Sequence, residues 1–341
     1  MKLSILEAGK GDCFILSWGE KNDFHIVIDS GVYGTYRFIK EKLRSIPSLV
    51  GIIVTHVDYD HIGGFFKLIQ DTEAPIKINF PVFINTPELI LFPEDNNLVN
   101  YNHGEEFSKI LEANNLEKKG LYIGMNDTNK INIEGLELTI ISPYKKVLDE
   151  LCVKWTASLI RDNYISESAN SDKVSTENKE LKSSEEILNE KEIIHKWDDD
   201  LINSSSIAFI ANYNGKKILF LADANPDLVC EELEKMGHTE ASPLKVESVK
   251  LGHHGSKFNT TIDLLKRIKT NSFIISTNGT GPYYHPNRET IVRIAKYGRK
   301  LNEAINMDIY TNYELKKEDF ITPEEEVLWK INITFKKELD I

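Results

Sequence analysis

Short apolar runs separated by Gly, Asp, Asn and Lys dominate the first third of the chain. Leu3–Leu6 alternates, Cys13–Trp18 and Phe24–Asp29 are nearly continuous, and the glycines between them mark turns, which predicts three strands. Tyr36–Ile46 has helical periodicity. Val50–Val54 is a β-branched run that reads as a buried strand. Phe65 to about Gln70 predicts a helix, entered through Gly63-Gly64 as a tight turn. Ile76–Phe80 alternates as a strand, Pro87–Phe92 has no clear period, and Glu105–Asn114 predicts a helix. Ile131–Ile133 and Leu136–Ile141 predict a hairpin closed by Ser142-Pro143.

The pattern weakens from about 160 to 200, where Ser, Asn, Glu and Lys crowd out apolar anchors. This stretch predicts a flexible insertion carrying at most a solvated helix over Ser184–Ile194. It interrupts a single domain spanning 1–341. Regular structure then returns. Ser206–Tyr213 and Lys217–Ala222 form a hairpin through Asn214-Gly215. Helices are expected over Asp227–Met236, Ile262–Ile268 and Arg288–Tyr297, and strands over Val246–Leu251 and Ser272–Ser276. The last strands fall near Ile309-Tyr310 and over Val327–Phe335.

Several strands end on side chains that bind metals. The strand before Thr55 delivers His56, Asp58, Asp60 and His61 into one short turn. A later strand ends on Asp223, and another on His253 and His254. Imidazole suits Zn, whereas carboxylate suits harder ions such as Mn and Mg. Carboxylates and imidazoles on one sheet edge suit a dinuclear site, where two ions lower the pKa of a shared water and neutralise phosphoryl charge. Asp29 also ends a strand; capping, orienting a ligand and direct ligation are all open to it. His25 lies inside a strand as a packed or surface residue. His103 stands in a polar loop, and His195 in the solvated insertion. No GxSxG elbow, no GxxxxGK[ST] loop and no Cys with a plausible His partner offers a competing chemistry.

Charge narrows the function classes. A net charge of −12 argues against a broad basic surface for duplex nucleic acid. Cys13, Cys152 and Cys230 have no paired spacing, which suits a reducing compartment. Glu7 comes too early for the apolar core of a signal peptide, and no run approaches a membrane span. The expectation is a soluble, cytoplasmic protein with no membrane contact.

His56-Val57-Asp58-Tyr59-Asp60-His61 resembles the HxHxDH signature of the metallo-β-lactamase fold, with Asp58 in place of the second His. The HxDxDH form followed by Gly63-Gly64 resembles the C-terminal hydrolase domain of ComEC-type DNA-uptake proteins and their free-standing relatives. Ile5–Cys13 is similar to that group's DVGQGDA-like opening, with Glu7 for Asp and Lys10 for Gln. Lys250–Ser256 resembles its HHGS motif, and Tyr284-His285-Pro286 its later HP motif. The resemblance implies an α/β fold built as an αββα sandwich and two divalent ions, Zn²⁺ or Mn²⁺. It implies that one ion takes His56 and Asp58. The other takes Asp60, His61 and His253, with Asp223 bridging. His253 directly ends its strand and is preferred to His254, which would face substrate. His285 is either a catalytic, phosphate-contacting residue or a loop-packing one. Many family members carry another His before the strand that leads to the bridging acid; here Asp200–Ser206 has none, and Asn203 stands in an Asn/Ser-rich stretch.

The expected function is dinuclear metal-dependent hydrolysis of a phosphodiester. Single-stranded DNA or another nucleic acid is the favoured substrate by resemblance, with metal-activated water as nucleophile and Asp60, His254 and His285 as catalytic groups. Two alternatives stay open. One is hydrolysis of a small ester, lactone, β-lactam or phosphocholine-type group, which the acidic surface favours. The other is a module that depends on a protein partner for nucleic-acid binding, as in a defence or uptake system.

Overall fold

The structure, a computed structural model, describes residues 1–46, 48–74, 79–86, 102–160, 181–280 and 284–341. Most of the strand expected over Ile76–Phe80, all of Pro87–Phe92, and residues 161–180 of the insertion lie outside them.

The described residues form two large sheets and a small parallel pair, Leu244–Lys245 with Ile268–Lys269. The first has seven strands, in the order Glu338–Asp340, Lys2–Ile5, Phe14–Trp18, Phe24–Ile28, Leu49–Ile53, Val82–Phe83 and Lys118–Lys119. The second has eight, in the order Ile331–Phe335, Met307–Thr311, Ser272–Ile275, Ser248–Lys250, Lys216–Phe220, Ala208–Tyr213, Leu136–Ser142 and Lys130–Ile133. Hairpins are antiparallel, whereas Phe24–Ile28 pairs Leu49–Ile53 in parallel, as Lys216–Phe220 does Ser248–Lys250.

Strand periodicity explains the layering. Side chains alternate between faces, and here both faces are buried, so the central strands read as continuous apolar runs. Phe14, Leu16 and Trp18 point into a core shared with Leu138, Phe209, Ile218 and Phe220 of the other sheet. Ile15, Val27 and Ile52 point the other way, against Ile39, Ile62, Phe65 and Phe107 from flanking helices. Leu219, Val249 and Phe273 likewise meet Val229, Leu233, Leu264 and Ile291 on the outer face of the second sheet. Three cores between four layers make an αββα sandwich.

Three local expectations are corrected. Gly63 and Gly64 do not form a turn; they lie inside the helix Tyr59–Gln70. A Cβ on Gly63 would sit 2.6 Å from the Tyr33 nitrogen, and one on Gly64 2.5 Å from the Ser30 oxygen. They are small so that the helix can press against the 30–33 loop. The backbone of His103 belongs to the helix Asn102–Ala113 rather than to a loop. Val327 and Leu328 belong to the helix Pro323–Trp329, and the last long strand starts only at Ile331. The Thr322/Glu325 capping box starts that helix, a signal hidden inside an acidic run.

The described part of the insertion is structured. Ser183 and Glu186 form a capping box on the helix Ser184–Asn189, and Ile187 is buried. Glu192 accepts a hydrogen bond from the Ile262 N–H (3.0 Å) and pairs with Arg293 (3.2 Å). Residues 181–200 therefore dock on the second half of the sandwich.

Candidate metal centre

The site forms where strands from both sheets end. Leu49–Ile53 leads through Thr55 to His56; Asp58 is the N-cap residue of the helix Tyr59–Gln70, and Asp60 and His61 occupy its first turn. The Asp58 carboxylate makes no capping hydrogen bond. Its side chain is 42% exposed and lies 3.6 Å from His56 Nε2. The second sheet supplies Asp223 just after Lys216–Phe220, and His253 and His254 just after Ser248–Lys250. The His253 N–H donates to the Ala222 carbonyl at 2.9 Å and ties these two loops together. Asp29, Ala222, His253, His254 and Tyr284 all have positive φ although none is glycine. Such backbone is uncommon and persists where surrounding structure fixes it, often at functional sites.

Ligand atoms converge. His56, His61 and Asp223 each place one within 4.8 Å of the others, and so do Asp60, His61 and His254. His61 Nε2 lies 3.7 Å from Asp223 Oδ2, and His254 Nε2 lies 3.4 Å from Asp60 Oδ2 and 3.9 Å from Asp223 Oδ2. His253 Nδ1 also reaches Asp223 Oδ2 at 3.9 Å, but its side chain is 32% exposed. The buried imidazole among the acids is thus His254, and His253 stands on the open side. His285 is half-buried, its ring 5.4 Å from that of His253 and 6.4 Å from that of His254.

Hydrogen bonds orient the rings. Asp29 accepts from the Thr55 N–H and hydroxyl, both at 2.7 Å, and from His61 Nδ1 at 2.8 Å. Its oxygens are used in orienting, and His61 Nε2 is left to face Asp223. His254 Nδ1 donates to the Ser276 carbonyl at 2.9 Å, which leaves Nε2 toward Asp60. The buried atoms His56 Nε2, His61 Nε2, His254 Nε2 and Asp223 Oδ1 have no hydrogen-bond partner. Unpaired buried polar atoms are costly and rare. Four of them on nitrogen and oxygen donors of this type fit one or two divalent cations.

Electrostatics agree. Burial opposes ionisation of Asp223, yet His253, His61 and His254 outweigh it and hold its carboxyl well below the usual range. Asp60 is likewise lowered against its burial, by His61 and His254. Burial would lower His61, but Asp29, Asp223 and Asp60 raise it well above an ordinary imidazole. His254 rises to about 10 against its burial, through Asp223 and Asp12. Burial and the neighbouring His253 and His254 push His285 down to about 3. Protons on the histidines balance a concentration of carboxylate charge that a cation would otherwise meet.

Other singled-out residues lie apart from this cluster. His25 is buried against the Ser17 hydroxyl at 2.8 Å. His195 is exposed, with its ring 4.6 Å from that of Phe258. The side chain of His103 is outside the described residues. Asn203 Nδ2 donates to Asp200 at 2.7 Å. Two residues at the site were missed as contributors. Asp12 and Lys250 form a fully buried ion pair, and Asp12 Oδ1 lies 3.4 Å from His254 Nδ1. Lysine in an otherwise apolar strand run was the available signal.

The family model described as "Metallo-beta-lactamase superfamily" matches residues 7–79, the segment holding Asp12, Asp29, His56, Asp58, Asp60 and His61. No curated protein matches the chain. Among solved structures, the metallo-beta-lactamase fold protein YhfI from Bacillus subtilis is 10% identical, with 99% of each chain covered and a TM-score of 0.44. A diphosphatase from the PhnP family is 10% identical, covering 100% of this chain and 97% of its own, with a TM-score of 0.44. Zn²⁺-bound PqqB from Methylobacterium extorquens is 9% identical over 100% of both chains, with a TM-score of 0.43. The αββα layering and the match over 7–79 together give this chain the metallo-β-lactamase fold.

Proposed function

We propose that this protein is a dinuclear metal-dependent hydrolase of phosphodiesters, with single-stranded nucleic acid as the favoured substrate. One observation carries the metal chemistry: the unpaired, buried Nε2 atoms of His56, His61 and His254 face the carboxylates of Asp60 and Asp223. His56 and Asp58 would hold one ion, and Asp60, His61 and His254 the other, with Asp223 between them. His254 takes the place first given to His253, because it is buried among the acids and His253 is not. When bound, such ions supply Lewis-acid charge neutralisation at a phosphoryl oxygen and acidify a water.

The chain's own groups do the rest. Asp29 holds the proton on His61 Nδ1, and the Ser276 carbonyl holds that on His254 Nδ1, so both rings present Nε2. Asp60, held ionised, would act as a catalytic group by accepting a hydrogen bond from the attacking water. Asp58 and His253 are the exposed members of the cluster, so substrate would enter past them; exposed Tyr59 and Tyr284 are chain neighbours of Asp58 and His285. His285 is a neutral imidazole there and offers a hydrogen bond to substrate rather than a positive charge.

The phosphodiester assignment rests on the likeness of HxDxDH, HHGS and HP to the ComEC-type branch. Protein loaded with Mn²⁺ or Zn²⁺ should cleave single-stranded DNA, RNA or bis-p-nitrophenyl phosphate, and Asp60→Ala should not. Three intact substrates would end this reading. The net charge of −12 favours a second reading, hydrolysis of a small ester or lactone. Salt-insensitive turnover of such a substrate, with none on nucleic acid, would select it.

A further inference from the structure

We infer that Asp12 and Lys250 are positioning residues, a buried ion pair reaching across the two sheets that fixes the His254 ring for metal binding. The inference rests on the metal centre proposed above and names its support behind one ligand. Lys250 ends the strand Ser248–Lys250 of the second sheet, and Asp12 follows the Gly9–Gly11 turn between two strands of the first. Both side chains are 2% exposed or less. An ion pair this deep stabilises little over apolar side chains of similar volume, so stability alone is a weak reason for it. Its placement gives a better one. Lys250 lies two residues before Gly252 and the left-handed His253-His254 pair, and holds one carboxylate oxygen of Asp12. The other oxygen lies 3.4 Å from His254 Nδ1.

The loop that carries Asp12 is clamped from the second sheet. The Ser276 hydroxyl donates to the Gly11 carbonyl at 2.8 Å, and the Asn278 N–H to the Gly9 carbonyl at 2.9 Å. Asn312 Nδ2 donates to the Leu6 carbonyl at 2.9 Å and to the Ser276 hydroxyl at 3.1 Å. Ser276 thus contacts both ends of the arrangement, its hydroxyl on the Asp12 loop and its carbonyl on His254 Nδ1. A carbonyl only accepts, so Nδ1 carries the proton and Nε2 is the atom left for an ion. Asp12 adds negative charge beside that N–H, which makes the opposite nitrogen a stronger donor to metal.

The test uses the full chain as Asp12→Asn and as Lys250→Met. The double variant removes both charges and serves should a single variant leave a lone buried charge and not fold. Two quantities are read: Mn²⁺ and Zn²⁺ affinity by chelator competition, and the exchange-protected Nδ1–H resonance of His254 by NMR on metal-free protein. We expect metal affinity to fall about ten- to a hundred-fold, and the Nδ1–H resonance to shift and exchange faster. A folded variant that leaves either quantity as in wild type overturns the inference, even if its Tm has dropped; the pair would then only tie the sheets together. Wild-type protein that binds neither ion overturns the metallohydrolase reading instead, while the Nδ1–H resonance still decides whether Asp12 and Lys250 position His254.

Discussion

Asp58 is the residue that separates the 56–61 turn from the HxHxDH form. It leaves its helix uncapped and turns its carboxylate toward His56. Carboxylate for imidazole hardens the site. Asp58→His should therefore shift preference from Mn²⁺ toward Zn²⁺, measured as the ratio of the two affinities. A second prediction concerns Gly11, whose added Cβ would fall 1.7 Å from the Asp60 carbonyl oxygen. Gly11→Ala must displace the Asp60 turn, at a cost of about 1–3 kcal/mol. Thermal melts and metal titration should both register it. A third follows from protonation. In metal-free protein His254 titrates at about 10 instead of 6.5. A raised imidazole stabilises the fold fully below pH 6.5, and that stabilisation is lost as pH climbs toward 10. Asp12 runs the other way: lowered from 3.8 to about 2, it stabilises above pH 3.8 and ceases to as pH falls toward 2. Chelator-stripped protein should thus melt highest between these limits. Its metal affinity should rise with pH across the upper window, because the ion displaces histidine protons.

At the scale of elements, hydrophobic pattern located most strands and helices because period two and period 3.6 differ in short windows. Arg288–Tyr297 was delimited as the structure has it, and Lys2–Ile5, Phe14–Trp18 and Leu49–Ile53 within a residue at each end. Contacts distant in sequence lie behind part of what was misread. Nothing local shows that Gly63 and Gly64 face residues 30–33. Nor does the acidic run 324–326 reveal that Glu325 forms a two-pronged ion pair with Arg288 at 2.7 and 2.9 Å. That pair anchors the helix Pro323–Trp329 on the helix after His285-Pro286. Glu325→Ala strands a largely buried guanidinium and should cost about 3 kcal/mol, measured by denaturant unfolding with m unchanged.

For the whole molecule, the strand-end motifs at 56–61, 223 and 253–254 marked the candidate site in the sequence because clustered His and Asp side chains are chemically conspicuous. Which of the His253 and His254 rings is buried among the acids was not legible. It depends on two consecutive left-handed residues that swing the second ring inward. The roles of Asp12 and Lys250 were hidden for a similar reason, since a buried ion pair reads as two ordinary surface charges until the sheets are stacked. Net charge acts at this scale as well. At −12 the molecule repels a polyanion over a Debye length of about 10 Å in 0.1 M salt. Cleavage of single-stranded DNA should then accelerate as salt is raised from low values, opposite to a basic nuclease, in initial rates against ionic strength.

His56, Asp58, Asp60 and His61 leave one sheet, and Asp223 and His254 leave the other. An ion shared among them would be a clasp between the two halves of the sandwich, closing loops far longer than any hairpin. An ion that binds only the closed arrangement stabilises it in proportion to ln(1 + c/Kd), where c is its free concentration, whatever the length of the loops it joins. At a hundred times its Kd, one such ion adds about 2.7 kcal/mol. Stripping it should open both outer helical layers to hydrogen exchange together, rather than only the loops that touch the ion.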